Sequence, residues 1–325
     1  MRKGLAMRFE RVVVTGGAGF LGSYVCEELV FSGVSVVCVD DLSTGRLSNV
    51  DTVAEHPRFH FQHADITEPL RVPGPVDAVL HLACPASPAD YLREPVRTMR
   101  TGSLGTLHAL ELAKAHRSRF LLASTSEVYG DPLRHPQTED YWGNVNPVGP
   151  RSVYDESKRF SEALTTAYRG QYGLRASIAR IFNSYGPRMR PDDGRMIPTF
   201  IRQGLAGEPI TVFGDGAQTR SLCYVSDTVR GLITLARSGI PGPVNIGSPE
   251  EHPVSRIAER VRELTGSSAP VVHEQAMTDD PRRRCPDIAV AARELGWAPE
   301  VSLTEGLRRT VDHFAAASFA HRAAG

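Results

Sequence analysis

Tyr154 and Lys158 stand four residues apart in a stretch, 153–172, whose pattern is helical, so both side chains project from one face. A free tyrosine near pKa 10 is only ~0.1% ionised at neutral pH, and bringing it near 7 takes about 4 kcal/mol of selective phenolate stabilisation. A neighbouring ammonium and a cationic cofactor ring together supply stabilisation of that kind. A phenolate so placed is a general base for a secondary alcohol that gives up hydride to a nicotinamide. Taken alone, a Tyr/Lys pair at this spacing is more often a solvated helix face, and the surrounding sequence must decide.

That context starts at the run Thr15–Ser23, where Gly16, Gly19 and Gly22 fall between a strand pattern and a helix opened by Phe20 and Leu21. Glycines there permit a tight turn and let backbone N–H groups approach a pyrophosphate at the positive end of the helix. Asp40 ends the next strand pattern about 20 residues later, where a carboxylate accepts both adenosine ribose hydroxyls. It would repel a 2′-phosphate, so the cofactor expected is NAD rather than NADP; Arg46 is the nearby cation that argues the other way. Asp65 and Ile66 end the third strand and face the adenine, or Asp65 caps a helix. A third element, Thr125–Ser126–Glu127, ends the fifth strand, at the crevice where parallel sheets bind ligands. Thr125 offers a hydroxyl to the reacting oxygen. Glu127 adds a carboxylate that a simple alcohol dehydrogenase does not need, unless it merely partners an arginine or caps a helix.

The elements that must hold these groups alternate. Short apolar runs at 11–15, 34–40, 59–65, 78–83, 120–124 and 175–182 lack polar alternation, as strands covered on both faces do. Helical patterns at 20–32, 96–116 and 153–172 lie between them, which is the order of a parallel sheet. Beyond residue 182 the chain is less regular, with a returning strand and helix near 224–246. The expected division is a cofactor-binding part over 1–182, with a returning segment near 222–248, and a mainly substrate-binding lobe over 183–325. With 325 residues, 41% apolar and 23% charged, and a formal net charge of zero, there is material for a full core and no electrostatic reason to expect nucleic acid. Five scattered cysteines without a C-x-x-C pair give neither a disulfide framework nor a zinc site and suit a reducing cytosol. No signal-peptide pattern and no membrane-length apolar run is present, so a cytoplasmic protein is expected, with Met1 or Met7 as its start.

Longer stretches carry a resemblance. They are His81–Leu82–Ala83–Cys84–Pro85–Ala86–Ser87–Pro88, the run LLASTSEVYGDP over 121–132, His135–Pro136–Gln137, Glu139–Asp140–Tyr141–Trp142–Gly143 and 146–150. Further ones are 179–183, 185–189, Gln218–Thr219–Arg220, 224–227, Asp279–Asp280–Pro281 and Arg284 with Pro286–Asp287. Together they resemble the extended short-chain dehydrogenases, and within them the UDP-glucuronic acid decarboxylases, from the glycine turn to about Trp297.

The resemblance implies an α/β, Rossmann-type doubly wound parallel sheet with a smaller C-terminal substrate-binding lobe, a bound NAD, no metal, and a homodimer formed through helices 96–116 and 153–172. It also implies a redox-neutral conversion of UDP-glucuronic acid to UDP-xylose. Tyr154 takes the C4 hydroxyl proton, Thr125 polarises O4, Glu127 assists at the sugar, and Arg220 supports an enolate or holds phosphate. Leu82 joins the cofactor site. Pro85, Ala86, Ser87, Arg100 and Ser126 belong beside the sugar, with Arg100 near its carboxylate. Asn183, Arg188 and Arg284 contact the UDP portion, unless Arg188 makes a surface ion pair, while Phe213 packs on uracil near Gln218. Several positions depart from the pattern: Gly102 stands for the usual Asn, Arg100 for Lys, Ser157 for Gly, Asp41 for Asn and Phe213 for Tyr. The alternatives are a UDP-sugar 4-epimerase, a 4,6-dehydratase, an oxidative decarboxylase that releases NADH, and a non-catalytic NAD-sensing module.

Overall fold

The computed structural model describes residues 8–276 and 280–324; Met1, Met7 and Asp279 lie outside the described residues. Among the described residues the strands are, in chain order, β1 Arg11–Thr15, β2 Ser35–Asp40, β3 Phe59–His63, β4 Ala78–His81, β5 Arg119–Thr125, β6 Ala176–Ile181, β7 Ser184–Tyr185, β8 Ile210–Phe213, β9 Thr219–Ser221, β10 Cys223–Tyr224, β11 Val244–Ile246, β12 Glu251–Pro253 and β13 Val271–Glu274. The helices are α1 Phe20–Phe31, α2 Pro88–Arg93, α3 Pro95–Arg100, α4 Thr106–Ala115, α5 Ser152–Tyr172, α6 Met196–Ala206, α7 Val225–Ser238, α8 Val254–Thr265 and α9 Leu303–Ala324. No described helix is long and apolar enough to cross a membrane.

Seven strands form one parallel sheet in the order β11-β6-β5-β4-β1-β2-β3. Each strand exposes alternate residues to opposite faces, and both faces are covered. Val12 and Val14 of β1, Val36 and Cys38 of β2 and Leu121 of β5 pack in one core with Val25, Leu29 and Val30 of α1 and Leu232 of α7. Their neighbours Val13, Val37, Val39, Phe120 and Leu122 pack in the other, with Ala109, Leu110 and Ala113 of α4. The fold is therefore the doubly wound Rossmann type. Strand order reverses between β1 and β4, and the carboxyl ends of the strands on either side open a crevice there, where sheets of this kind bind ligands. Smaller strand pairs, β7 with β10, β8 with β13 and β9 with β12, belong to the later part of the chain.

The stretch expected as one helix over 96–116 is divided. Its first part is α3, a wide π turn spans Thr101–Gly105, and α4 follows. The turn brings Gly102 against α5 so closely that a Cβ there would sit 2.5 Å from Ser157 Cβ. The Gly102 carbonyl accepts from Thr106 Oγ1 at 2.7 Å and Ser161 Oγ at 2.8 Å. From there a buried chain continues through Thr106 Oγ1 and His81 Nε2, 3.2 Å apart, to His81 Nδ1 and Thr15 Oγ1, 2.7 Å apart. It ties the end of β1 to the helices behind the crevice.

Candidate active site

After Thr15 the chain turns through Gly16 at φ +71°, and α1 begins at Phe20. A Cβ on Gly16 would lie 2.7 Å from the Ala83 amide nitrogen, and one on Gly22 would strike the Gly16 carbonyl. Glycine is what lets these backbones meet, and the N-terminus of α1 is left facing a single cleft. Gly16, Gly19, Phe20, Leu21, Gly22, Asp40, Ile66 and Leu82 line that cleft together with Tyr154 and Lys158. The Asp40 carboxylate accepts from the amides of Ala18 at 3.0 Å and Leu42 at 2.8 Å. Burial raises its pKa while those amides oppose the rise. Arg46 is directed at Asp192, 3.5 Å away on the surface, and does not line the cleft. A glycine cradle, a helix end and an unopposed carboxylate fit a dinucleotide with free ribose hydroxyls, which is NAD and not its 2′-phosphate. Asp65 is a correction: it is exposed and outside the cleft, and its Oδ1 accepts from the Thr67 amide at 2.8 Å. Its short side chain is spent on the turn after β3, leaving Ile66 alone on the cleft wall.

At the other end, α5 presents Arg151, Tyr154, Asp155 and Lys158, the first just before its first turn, at spacings that place them on one face. Lys158 is buried and donates to the Ala123 carbonyl at 2.9 Å, with its ammonium 5.9 Å from the centre of the Tyr154 ring. Tyr154 is 7% exposed and stacks on Tyr91 of α2, ring centres 5.4 Å apart and planes within 5°. Burial holds the Tyr154 hydroxyl well above its ordinary pKa, the Cys84 thiol adds to this, and a hydrogen bond with Thr125 opposes it. The protein's own groups thus favour the protonated phenol, and the stabilisation expected for its ionised form is that of an ammonium and a cationic cofactor ring acting together. Thr125 caps the turn Ser126–Tyr129 by accepting from the Glu127 amide at 3.2 Å.

Glu127 is gripped by two guanidinium groups. Arg151 donates to it at 2.7 Å, and Arg284 donates to its other oxygen and to the Gly130 carbonyl. Burial would raise the Glu127 carboxyl, but the charges of Arg284 and Arg151 outweigh it and hold the pKa at about 2. Arg284 is thus carried to the Glu127 end of the cleft, where two guanidinium groups share one carboxylate.

Asp155, beside this cluster, goes the other way. Burial first, and then the charge of Glu127, lift it from 3.8 to about 7 against the pull of Arg151 and Arg284. Its Oδ1 is buried without a hydrogen-bond partner among the described residues. The folded protein therefore keeps a proton that the unfolded chain releases near pH 4. Stability due to neutral Asp155 is full below that pH and is lost as pH rises through about 7. Asp155→Asn stays neutral throughout, so its melting temperature is expected to fall less than that of the wild type between about pH 5 and 8. Parallel melting profiles would remove Asp155 as the titrating group.

The remaining expected substrate residues divide. Pro85, Ala86, Ser87, Ser126, Asn183, Arg188, Phe213, Gln218, Arg220 and Arg284 all line the cleft. Ser87 donates to the Asp193 carbonyl, and Gln218 to that of Phe213 at 2.6 Å. Arg188 pairs with Glu27 and lies over the Tyr24 ring at 4.2 Å, so the ion-pair reading describes its present partners. Arg220 is held by Asp280 at 2.6 Å and by the Pro281 and Thr219 carbonyls, both at 2.8 Å. Arg100 is a second correction. It is exposed and outside the cleft, because the rotation of α3 turns Thr98 and Thr101 inward and the next cleft-lining residue of this segment is Thr101.

Sequence reasoning passed over Tyr91, Arg151 and Asp155. For the last two a signal was present, since 151, 154, 155 and 158 share one helical stripe. Tyr91 had none, because only folding brings α2 onto α5.

A family model, the NAD dependent epimerase/dehydratase family, matches residues 12–247. UDP-glucuronic acid decarboxylase 6 of Arabidopsis thaliana is 51% identical over 298 residues, which cover 91% of this chain and 86% of that protein. UDP-glucuronic acid decarboxylase 1 of Xenopus tropicalis is 48% identical over 305 residues, 94% of this chain and 72% of that one. Among solved structures, the UDP-glucose 4-epimerase of Thermotoga maritima with UDP-glucose is similar at a TM-score of 0.86 and 31% identity, covering 95% of this chain and 99% of that one.

Proposed function

The chain belongs to the NAD dependent epimerase/dehydratase family, and from that premise we propose that it is an enzyme converting UDP-glucuronic acid to UDP-xylose and CO₂. Relatives near 50% identity along almost the whole chain support this substrate. The observation that carries it is the cluster of Glu127, Arg151 and Arg284 beside Thr125 and Tyr154 in one cleft. A plain alcohol oxidation needs only the tyrosine, the lysine and the hydroxyl, whereas loss of CO₂ leaves negative charge on the sugar that nearby cations stabilise.

NAD, held by the glycine turn and Asp40, supplies when bound the acceptor and donor of the C4 hydride and a positive charge beside the phenol. Tyr154 Oη takes the proton from the C4 hydroxyl, and the Thr125 hydroxyl holds that oxygen in line. Lys158, fixed by the Ala123 carbonyl, places a cation behind the phenol. A ketone at C4 is β to the C6 carboxylate, so the C5–C6 bond breaks with its electrons passing into a C4–C5 enolate. Arg284 and Arg151 stabilise that charge. One proton is added at C5, and Tyr154 returns its proton to O4. One solvent proton is consumed overall, and no hydride is lost. Tyr91 stacks on the Tyr154 ring and sets its plane.

Two copies of the chain pair in this reading, through exposed apolar side chains that include Val96 and Met99 of α3 and Phe160 of α5. Five free cysteines suit a reducing cytoplasm.

The test is incubation of the purified protein with UDP-glucuronic acid, followed by mass spectrometry and absorbance at 340 nm. The expected result is a UDP-pentose lighter by CO₂ without accumulation of NADH. A UDP-4-keto-pentose with equimolar NADH would replace this reading with oxidative decarboxylation. A product of unchanged mass would replace it with epimerisation.

A further inference from the structure

Outside the cleft, three segments place a thiol, an imidazole and a carboxylate around one point. His135 Nε2 lies 3.1 Å from Glu251 Oε2, and these atoms and Cys285 Sγ are all within 4.8 Å of one another. None of the three residues lines the cleft. Their backbones are locked. The Gln137 amide donates to the Cys285 carbonyl at 2.9 Å, and the Cys285 amide donates to Gln137 Oε1 at 2.8 Å. Glu251 pairs with Ser221 across β12 and β9, and the Ser221 amide donates to the Arg284 carbonyl at 3.1 Å. The second carboxylate oxygen of Glu251 accepts from Thr219 Oγ1, which orients the first towards the histidine. Ligand-bearing segments held together before binding, with a ligand carboxylate oriented by a hydroxyl, are the features that make a metal site firm.

We propose that His135, Glu251 and Cys285 form a site for a divalent cation of the zinc class. Thiolate, imidazole and carboxylate bind such an ion at about 2.3, 2.0–2.1 and 2.0–2.2 Å, so tetrahedral donors end up about 3.3–3.7 Å apart. The donor atoms now lie within 4.8 Å of one another, so binding draws the most distant pair together by about 1 Å. Cys285 is 6% exposed, whereas the His135 and Glu251 side chains are 29% and 23% exposed. The ion thus enters from the imidazole side and keeps a water as its fourth ligand. The donor set excludes magnesium and calcium, which take oxygen ligands. Binding releases the thiol proton, so affinity rises with pH. An occupied site ties the segment carrying Arg284 to the loop at His135 and to β12, and so fixes the backbone from which Arg284 reaches Glu127.

Cobalt(II) serves as the spectroscopic probe. Chelator-treated protein dialysed against Co²⁺ is expected to retain one ion per chain and to show a thiolate-to-cobalt charge-transfer band. Cys285→Ser is expected to lose the band and His135→Ala to weaken binding at least about tenfold. Circular dichroism would check that both variants fold. Zinc is expected to raise the melting temperature of the wild type and not that of Cys285→Ser, because a ligand that binds only the folded state stabilises it. No retained cobalt, or a charge-transfer band that survives in Cys285→Ser and so comes from another cysteine, would overturn the site. An equal zinc effect on wild type and Cys285→Ser would overturn it as well.

Discussion

Phenylalanine at position 154 is expected to lower turnover of UDP-glucuronic acid about 10²–10⁴-fold, the usual contribution of a positioned acid–base group. The change removes one oxygen and keeps the ring, so the stacking on Tyr91 and the seat of α5 against β5 remain. NAD and substrate are expected to bind as in the wild type, because the glycine turn, Asp40 and the cleft arginines are untouched. Burial raises the phenol far above neutrality, so this oxygen is a poor base in the protein's own field and works only once positive charge stands next to it. The variant therefore separates binding from chemistry: titration calorimetry reads the first and rapid-quench turnover the second. Wild-type turnover would remove Tyr154 as the base.

Glu127→Gln is expected to lower kcat about 10²–10³-fold with a smaller change in KM, on the scale of losing one preorganised electrostatic group. It should also destabilise the fold by about 3–5 kcal/mol, since it leaves two buried guanidinium groups facing a neutral amide. The two effects are separable by pH. Glu127 is held at about 2 against an ordinary 4.5, so its contribution to stability is full above pH 4.5 and is lost as pH falls through about 2. The melting temperatures of variant and wild type are expected to differ most above pH 4.5 and to converge in acid. Equal loss of kcat and of UDP affinity would mean that the carboxylate only holds the cleft together.

What was readable in the residues follows from range. Arg11–Thr15 is read to its end residues, because an uninterrupted apolar run before a glycine turn is a local signal. Asp40 and Thr125 end local strand patterns, the glycines mark the turn into a helix and the Tyr/Lys pair shares one helical face, and all reach the cleft. The helix expected over 96–116 hides its π turn, because such a turn is set by packing of Gly102 against α5 and leaves no period of its own. α2 escaped notice, being only six residues long and opening on a proline that also reads as loop. Arg284 is placed beside the UDP portion by resemblance, and no local pattern reveals its partner Glu127, 157 residues away in the chain. Arg100 and Asp65 show the opposite failure: each stands beside a cleft residue, and helix rotation or a turn hydrogen bond points it elsewhere.

The contact between Gly102 and Ser157 has a consequence for how this chain can change over generations. A side chain at 102 would enter the space that Ser157 fills, while removal of the Ser157 side chain opens that space. The two positions are therefore epistatic. A drifting lineage that gained asparagine at 102 before glycine at 157 would pass through a clash one helix turn from Tyr154 and Lys158, whereas the reverse order passes only through a small void. Substitutions here are admissible in one sequence of events and penalised in the other, so the fold imposes a direction on its own mutational history.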